Sequence, residues 1–317
     1  METRYLKTLV AAVEEGSFSR AAEVLHITQS AVSQRIKFIE EHFGHQLLDR
    51  SGSGLELTPA GHLVLAKARD ILRKERELAD SLKGLGDDKR LSLCSTPTFG
   101  MAYLSQVLND FLRSHSDMAD LKFIFMQPLE ALRSLRNEEF DLAVIEHCPD
   151  QEFSGLDRFV LPDDEMLLVV PAGVLSPGPD GCADLGTLTR YRLFARRDGC
   201  SSKELLRQNL TRQGCDFTDF DGVMISDDLR FTIESVLAGE GVAFISRALV
   251  GEHLASGRLV GCQVNGFEHR RGRSVALLPG RYDEPLIRDL LECLFRVVSP
   301  LWRPQFQAAP VRAVAAG

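Results

Sequence analysis

Residues 17–61 read SFSRAAEVLHITQSAVSQRIKFIEEHFGHQLLDRSGSGLELTPAG, and this stretch decides the fold. Ser17 has the side chain of an N-cap, and Ala21, Ala22 and Leu25 behind it share one helical face. His26 and Ile27 form a tight turn. Thr28 then caps a second helix predicted from Gln29 to about His42. Val32, Ile36 and Ile39 fall at i, i+4 and i+7 of that helix and face a core. The opposite face carries Gln29, Ser30, Ser33, Gln34 and Lys37, with Arg35 at its margin. Such a face suits a major groove, because Gln bridges the two hydrogen-bonding groups of adenine and Arg those of guanine. The alternative on pattern alone is a helical bundle with a solvated polar face.

Asp49-Arg50-Ser51-Gly52-Ser53-Gly54 separates the apolar pair Leu47-Leu48 from the alternating Leu55-Glu56-Leu57. That is the pattern of a two-stranded wing with a glycine-serine tip. Thr58-Pro59 sets an N-cap before a proline at the first helical position, so a long helix is predicted to about Leu85. Leu57, Val64, Ile71, Leu78 and Leu85 repeat every seven residues, with Ala68 and Leu82 four further on. Glu75 interrupts this second row. The stripe predicts a dimerising seam, with an intramolecular helix as the alternative.

The blocks GSFSRAAEVL, ITQSAVSQRIKFIEEHFGHQLLDR and LELTPAG keep their order and spacing, and together they resemble the N-terminal domain of LysR-type transcriptional regulators. Ser30 departs from the family, which most often has proline early in the recognition helix. Serine fits a helical first turn, so the departure bears on base preference rather than on fold. The resemblance implies that the long helix pairs two chains into a homodimer or homotetramer. Two recognition helices would then meet half-sites about one DNA turn (~34 Å) apart, so the expected target is an interrupted palindrome in double-stranded DNA. Gln29, Ser30, Ser33 and Gln34 are assigned to base edges, and Arg35 and Lys37 to bases or phosphates. Arg20, Arg50 and Thr58 are assigned to the DNA backbone.

Charge is consistent with this division of labour. The net charge is −8, yet residues 1–90 hold 14 basic and 14 acidic side chains, and residues 91–317 hold 23 and 31. The acidic excess lies wholly beyond residue 90 and discourages non-specific DNA adhesion there. Phosphate binding therefore rests on placed cations rather than on bulk charge. A chain of 317 residues accommodates two or three domains. It has no run of 18 apolar residues, and METRYLKTLV lacks a signal-peptide pattern, so a cytoplasmic protein without membrane contact is expected. The 7 cysteines show no CxxC pair, and no His/Cys cluster has zinc spacing; buried small hydrophobes are expected.

From Leu91 the chain alternates strand-length apolar runs with helical periodicity, which predicts α/β subdomains with largely parallel sheets. The order resembles the LysR-type effector domain, itself similar to periplasmic binding proteins. The expected architecture is an N-terminal all-α winged helix-turn-helix with a linker helix, then a C-terminal α/β effector domain of two Rossmann-like subdomains. Predicted extents are 1–57 for the DNA-binding domain and 58–88 for the linker helix. Subdomain I takes 89–162 and 268–300, subdomain II takes 163–267, and 301–317 form a tail. A small polar or anionic metabolite is expected between the subdomains, at the carboxyl ends of the strands. Thr96 as N-cap and Pro97 at the first helical position expose the Thr98, Phe99 and Gly100 amides to it; Gly199-Cys200-Ser201-Ser202 plays the same part opposite. Thr96, Thr98, Ser201, Ser202, Glu146 and Phe244 are the candidate effector contacts.

Other signals lead elsewhere. Gly239-Glu240-Gly241-Val242 follows a helix and precedes a strand, so it is a turn and not a dinucleotide loop. Asp163-Asp164 and Asp227-Asp228 read as residues that begin or cap elements. Some LysR-type proteins sense peroxide through a disulfide near Cys200 and Cys215, and Arg196, Arg197 and Lys203 surround the former. Fifteen helical residues would hold the two sulfurs roughly 22 Å apart, far beyond the ~7 Å Cα separation that a disulfide allows. The reading is a regulator without cofactor or enzymatic activity, with RNA polymerase as a further contact. A thiol-based redox regulator and a metabolite-binding protein that leaves DNA alone are the alternatives.

Overall fold

The computed structural model describes residues 2–49, 55–83, 89–175, 178, 181–298 and 305–307. It separates residues 1–88 from residues 89–317 as two units. The first opens on α1 (Thr3–Glu15), which the sequence reading lacks because no side chain caps its start. Helices α2 (Phe18–Val24) and α3 (Gln29–Phe43) stand where predicted. Thr28 Oγ1 accepts the Ala31 amide at 3.2 Å, whereas Ser17 occupies the N-cap of α2 without a capping hydrogen bond. Leu9, Ala12, Ala21, Val32, Ile36, Ile39, Leu47 and Leu48 form one core. Each fully buried aliphatic side chain there contributes roughly 1.5–3 kcal/mol.

Strands β1 (Leu48–Asp49) and β2 (Glu56–Leu57) pair antiparallel as the base of the wing. Its tip, with Arg50, lies outside the described residues. Glu40 Oε1 accepts the Leu47 and Leu48 amides at 2.8 and 3.3 Å, fastening α3 to the wing. Helix α4 (Pro59–Lys83) begins where Thr58 Oγ1 accepts the Gly61 amide at 3.0 Å and donates to the Gln46 carbonyl at 2.7 Å. A Cβ on Gly61 would stand 2.0 Å from the Leu47 carbonyl oxygen, so only glycine lets α4 pass the wing this closely. Glu75 turns toward α1, accepting from Thr3 Oγ1 at 2.8 Å and facing Lys7 Nζ at 3.2 Å. The acid that interrupts the heptad row is thus an anchor to α1. Ile71 and Leu78 remain exposed, and Leu85 lies outside the described residues.

In the second unit β3 (Lys89–Ser95) leads through α5 (Pro97–Phe99) and a π-helical turn (Gly100–Leu104) into α6 (Ser105–Ser114). β4 (Met118–Phe125), α7 (Pro128–Arg136) and β5 (Leu142–His147) follow, with β3 parallel to both strands. The long β6 (Asp157–Pro171) then crosses into a second α/β layer. That layer holds α8 (Leu185–Leu188), β7 (Leu193–Ala195), α9 (Ser201–Arg212), β8 (Val223–Ile225), α10 (Leu229–Leu237) and β9 (Val242–Ser246). There β7 is parallel to β8 and β9. After α11 (Arg247–Ala255) and β10 (Leu259–Cys262), β11 (Arg270–Leu277) returns to the first layer, where α12 (Pro285–Val298) packs. A short β12 (Gln305–Gln307) adds to β6.

The main order of the sheet is β4-β3-β5-β11-β6-β9-β7-β8, with β10 and β12 pairing β6 off this path. The expectation of a largely parallel sheet therefore holds only for the outer strands. β6 and β11 run in opposite directions because one leaves the first layer and the other comes back, so the centre is antiparallel. β6 also starts at Asp157 rather than Met166, since Asp163-Asp164-Glu165 breaks the apolar run that periodicity detects. At the turn before β9, a Cβ on Gly241 would stand 2.2 Å from the Arg192 carbonyl, the close approach that requires glycine there.

Candidate functional site

On α3 the buried back of Val32, Ile36 and Ile39 fixes which side faces water. Gln29, Ser30, Gln34 and Lys37 are exposed and Ser33 is half-buried, so the predicted polar face is presented as one surface. Ser30 Oγ lies 2.9 Å from Thr28 Oγ1, placing it in the capping turn. Lys37 Nζ lies 3.5 Å from Glu41 on the same helix, an exposed pair that leaves the cation mobile. Arg35 behaves differently. Its Nη1 donates to Thr8 Oγ1 at 3.2 Å, so this guanidinium braces α1 against α3. Arg20 is exposed on α2. Thr58 has both its proton and a lone pair committed to the backbone of its own chain.

In the second unit the carboxyl ends of β3, β5 and β7 meet the crossing strands β6 and β11 in a buried network of charge. Arg271 and Arg273, alternate residues of β11, point the same way. Arg273 Nη2 donates to Asp164 Oδ1 at 2.8 Å and its Nε to Glu146 Oε1 at 3.3 Å. Arg271 Nε donates to Asp164 Oδ2 at 2.9 Å. Its Nη1 reaches Ser201 Oγ at 2.8 Å, and its Nη2 reaches Thr98 Oγ1 at 3.1 Å. Thr96 donates its hydroxyl to Glu146, and Ser246 Oγ donates to Asp164 Oδ1 at 2.6 Å. The π-helical turn sets the Tyr103 ring 5.0 Å from the Arg273 guanidinium. Burial opposes the charge on Arg273, but Glu146 and Asp164 more than offset it and hold the guanidinium above the usual arginine range.

Two cavities flank the network. The first is lined by Thr98, Arg196, Ser202, Phe244, Ser246 and Arg271, and its walls leave about 10 Å³, room for one water. The second, about 460 Å³, is lined by Leu129, His147, Asp150, Glu152, Ser201 and Glu204 among others. Arg196 is buried and donates to the Asp227 carbonyl at 2.8 Å. Its Nη2 lies 3.3 Å from Asp227 Oδ1, and Arg197 shares that carboxylate. Burial holds the His147 imidazole below its ordinary range.

The structure brings Thr98, Ser202 and Phe244 to one cavity and Ser201 to the other, while Thr96 and Glu146 lie in the network between subdomains. The Gly100 amide, expected to be free, donates to the Thr96 carbonyl at 3.1 Å inside its helix. Asp228 caps α10 as expected. Asp164 does not cap anything: it is a buried interior residue of β6 that accepts from both Arg271 and Arg273. Sequence reasoning missed Arg271, Arg273, Arg196 and Ser246. The available signal was Arg270-Arg271-Gly272-Arg273 set against Asp163-Asp164-Glu165, opposite charge runs on two strands that cross. Cys200 is buried and receives Gln127 Nε2 at 3.1 Å; α9 starts at the next residue and ends at Arg212, so a helix of 12 residues and a turn through Gly214, rather than fifteen helical residues, separate it from Cys215. Burial pushes the thiols of Cys94 up to about 12 and of Cys148 and Cys262 to about 11, which suits packing rather than reactivity. Cys182 and Cys215 are half-buried rather than buried. Among the described residues no cluster could hold a metal ion, and no helix is long and apolar enough to cross a membrane.

Residues 3–62 match the model of bacterial regulatory helix-turn-helix proteins of the lysR family, and residues 85–299 match the LysR substrate binding domain. A probable RuBisCO transcriptional regulator of Nostoc sp. is 28% identical over 285 residues, covering 87% of this chain and 82% of that protein. The RuBisCO operon transcriptional regulator of Allochromatium vinosum is 25% identical over 272 residues, covering 84% and 87%. Among solved structures, ArgP from Mycobacterium tuberculosis superposes with a TM-score of 0.60 at 21% identity, covering 96% of this chain and 100% of that one.

Proposed function

The chain belongs to the LysR family of transcriptional regulators, and from that premise we propose how its two units divide the work. Residues 1–57 read DNA, 58–88 pair chains, and the effector lies between subdomains of residues 89–162 with 268–300 and of residues 163–267. The exposed Gln29, Ser30, Ser33 and Gln34 contact base edges, and Lys37, Arg20 and Arg50 contact phosphates. Arg35 acts through α1, and Thr58 holds the wing to α4. The carrying observation is the one-sided α3, whose polar row is solvent-facing while its apolar row is locked into the core.

Exposed Ile71 and Leu78, seven apart on α4, support pairing of two chains and hence an interrupted palindrome as target. The buried cations and hydroxyls beside the smaller cavity support a polar or anionic metabolite as effector; the protein works in the cytoplasm, without catalysis, and contacts RNA polymerase at the promoter. The redox alternative gains no support from an intact α9, and the alternative without DNA binding gains none from the polar face of α3. The test is retardation of promoter fragments from the chain's own genome on native gels, with quantitative footprinting. Two protected half-sites about one DNA turn (~34 Å) apart are expected. No retardation at low salt overturns the reading.

A further inference from the structure

The two α/β layers are joined by β6 and β11, and this pair of strands is irregular where it crosses. Arg271 faces Asp164 in register and Arg273 faces Leu161, so β6 uses three residues where β11 uses two. Pro162 falls in that bulge and has no amide to give the ladder. On its other edge β6 pairs β12 over Arg158–Val160 and β9 over Met166–Val169, and neither reaches residues 161–165. A bulged, thinly paired crossing bends readily. The angle between the layers is therefore set by side chains that reach from one to the other.

Arg271 makes the strongest of these contacts. Its side chain is 4% exposed. Nε donates to Asp164 Oδ2 at 2.9 Å and Nη2 to Thr98 Oγ1 at 3.1 Å, which fixes the guanidinium beside the first layer. Nη1 reaches across, donating to Ser201 Oγ at 2.8 Å in the first turn of α9. Such a bond from a cation is roughly twice as strong as a neutral one. Two neighbouring bonds across the same seam run through sulfur, a weak partner in either role. Gln127 Nε2 donates to Cys200 Sγ at 3.1 Å, and Cys148 Sγ donates to the Ser201 carbonyl at 3.6 Å. Cys148 follows β5 of the first layer, yet its thiol packs in the core of the second. We propose that Arg271 is a clasp: anchored by Asp164 and Thr98, it holds the second layer against the first through Ser201, and the layers hinge apart at the β6 bulge when that bond breaks. For any ligand that enters between the layers the clasp sets a threshold, since only the parted fraction of the chain admits it. The clasp does not depend on the effector reading, and its failure would leave that reading standing.

The chain carries its own reporters of parting. Cys148 and Cys200 are buried at the seam, whereas Cys94 and Cys262 lie within the core of one layer each. The full chain is alkylated with iodoacetamide at a level where closing outpaces reaction, so that the rate at each thiol, read by peptide mass spectrometry, follows the parted population. In wild type Cys148 and Cys200 should react far more slowly than in the unfolded chain. Ser201→Ala, which removes only the bond across the seam, should speed both about tenfold and leave Cys94 and Cys262 unchanged. Arg271→Lys alters no side chain beside either thiol in charge, but an ammonium cannot fork to three partners, so the same gain is expected. Thr98→Val should change the rates least, because its bond to Arg271 stays within the first layer. Wild-type rates in Ser201→Ala would overturn the clasp even if Arg271→Lys fails to fold. Equal acceleration at Cys94 and Cys262 would overturn it too, as general loosening, and so would a Thr98→Val effect as large as that of Ser201→Ala. Seam thiols that react in wild type as fast as in the unfolded chain would show that nothing holds the layers together.

Discussion

The polar side chains of α3 proposed for DNA lie within one helix and are mostly exposed, whereas those around the cleft come from α5, β5, β6, α9, β9, β11 and the connections that follow β3 and β7, and are nearly all buried. The difference has energetic weight. An exposed Gln or Lys costs the fold almost nothing, so the face of α3 is free to be chosen for DNA alone. A buried Arg must find its carboxylates or it destabilises the chain by several kcal/mol. Around the cleft, recognition and stability therefore share the same residues.

Four substitutions break or sharpen this contrast. Asp164→Ala strips Arg271 of its acid and half-strips Arg273, and should destabilise the α/β unit by about 3–5 kcal/mol. Segment-resolved hydrogen exchange across 89–298 reads it, and unchanged protection would mean that the network carries no stability. Gln29→Ala should cost roughly 1–3 kcal/mol on a bound promoter fragment while leaving the melting temperature alone. Equal loss on scrambled DNA would remove Gln29 from base reading. Thr28→Ala deletes the bond to the Ala31 amide and should cost about 1 kcal/mol, seen as faster exchange in the first turn of α3.

The smallest effect is on pH. Since burial depresses His147 below its usual 6.5, the unfolded chain takes up a proton there that the folded chain refuses. That stability is complete above the unfolded value and falls as the pH drops below it. His147→Gln should flatten the loss in denaturant midpoint between about pH 7 and 5; an identical loss in both proteins would exclude His147 as its source.

How much was legible follows from the distances along the chain over which the relevant contacts act. Thr28, Val32, Ile36 and Ile39 announce α3 because capping and amphipathic spacing act within four residues. The recognition face is the other side of that same pattern, so it came with the helix. α1 escaped notice because its apolar residues lack a capping signal and gain meaning only against α3 and α4. Arg35 was legible as a cation on the right helix but not as a brace, since its partner Thr8 lies 27 positions away.

Sequence by itself determined the helix-turn-helix, the long α4, the alternation of strands and helices, and the hydroxyls at the starts of α5 and α9. Only the tertiary structure decided that Asp164 is interior to a crossing strand, that Arg271 joins Thr98 to Ser201 over separations of 173 and 70 residues, and that Glu75 serves α1. The reason is physical. Local patterns register which face of an element avoids water, but a buried charge is specified by a partner that folding alone brings within hydrogen-bond reach.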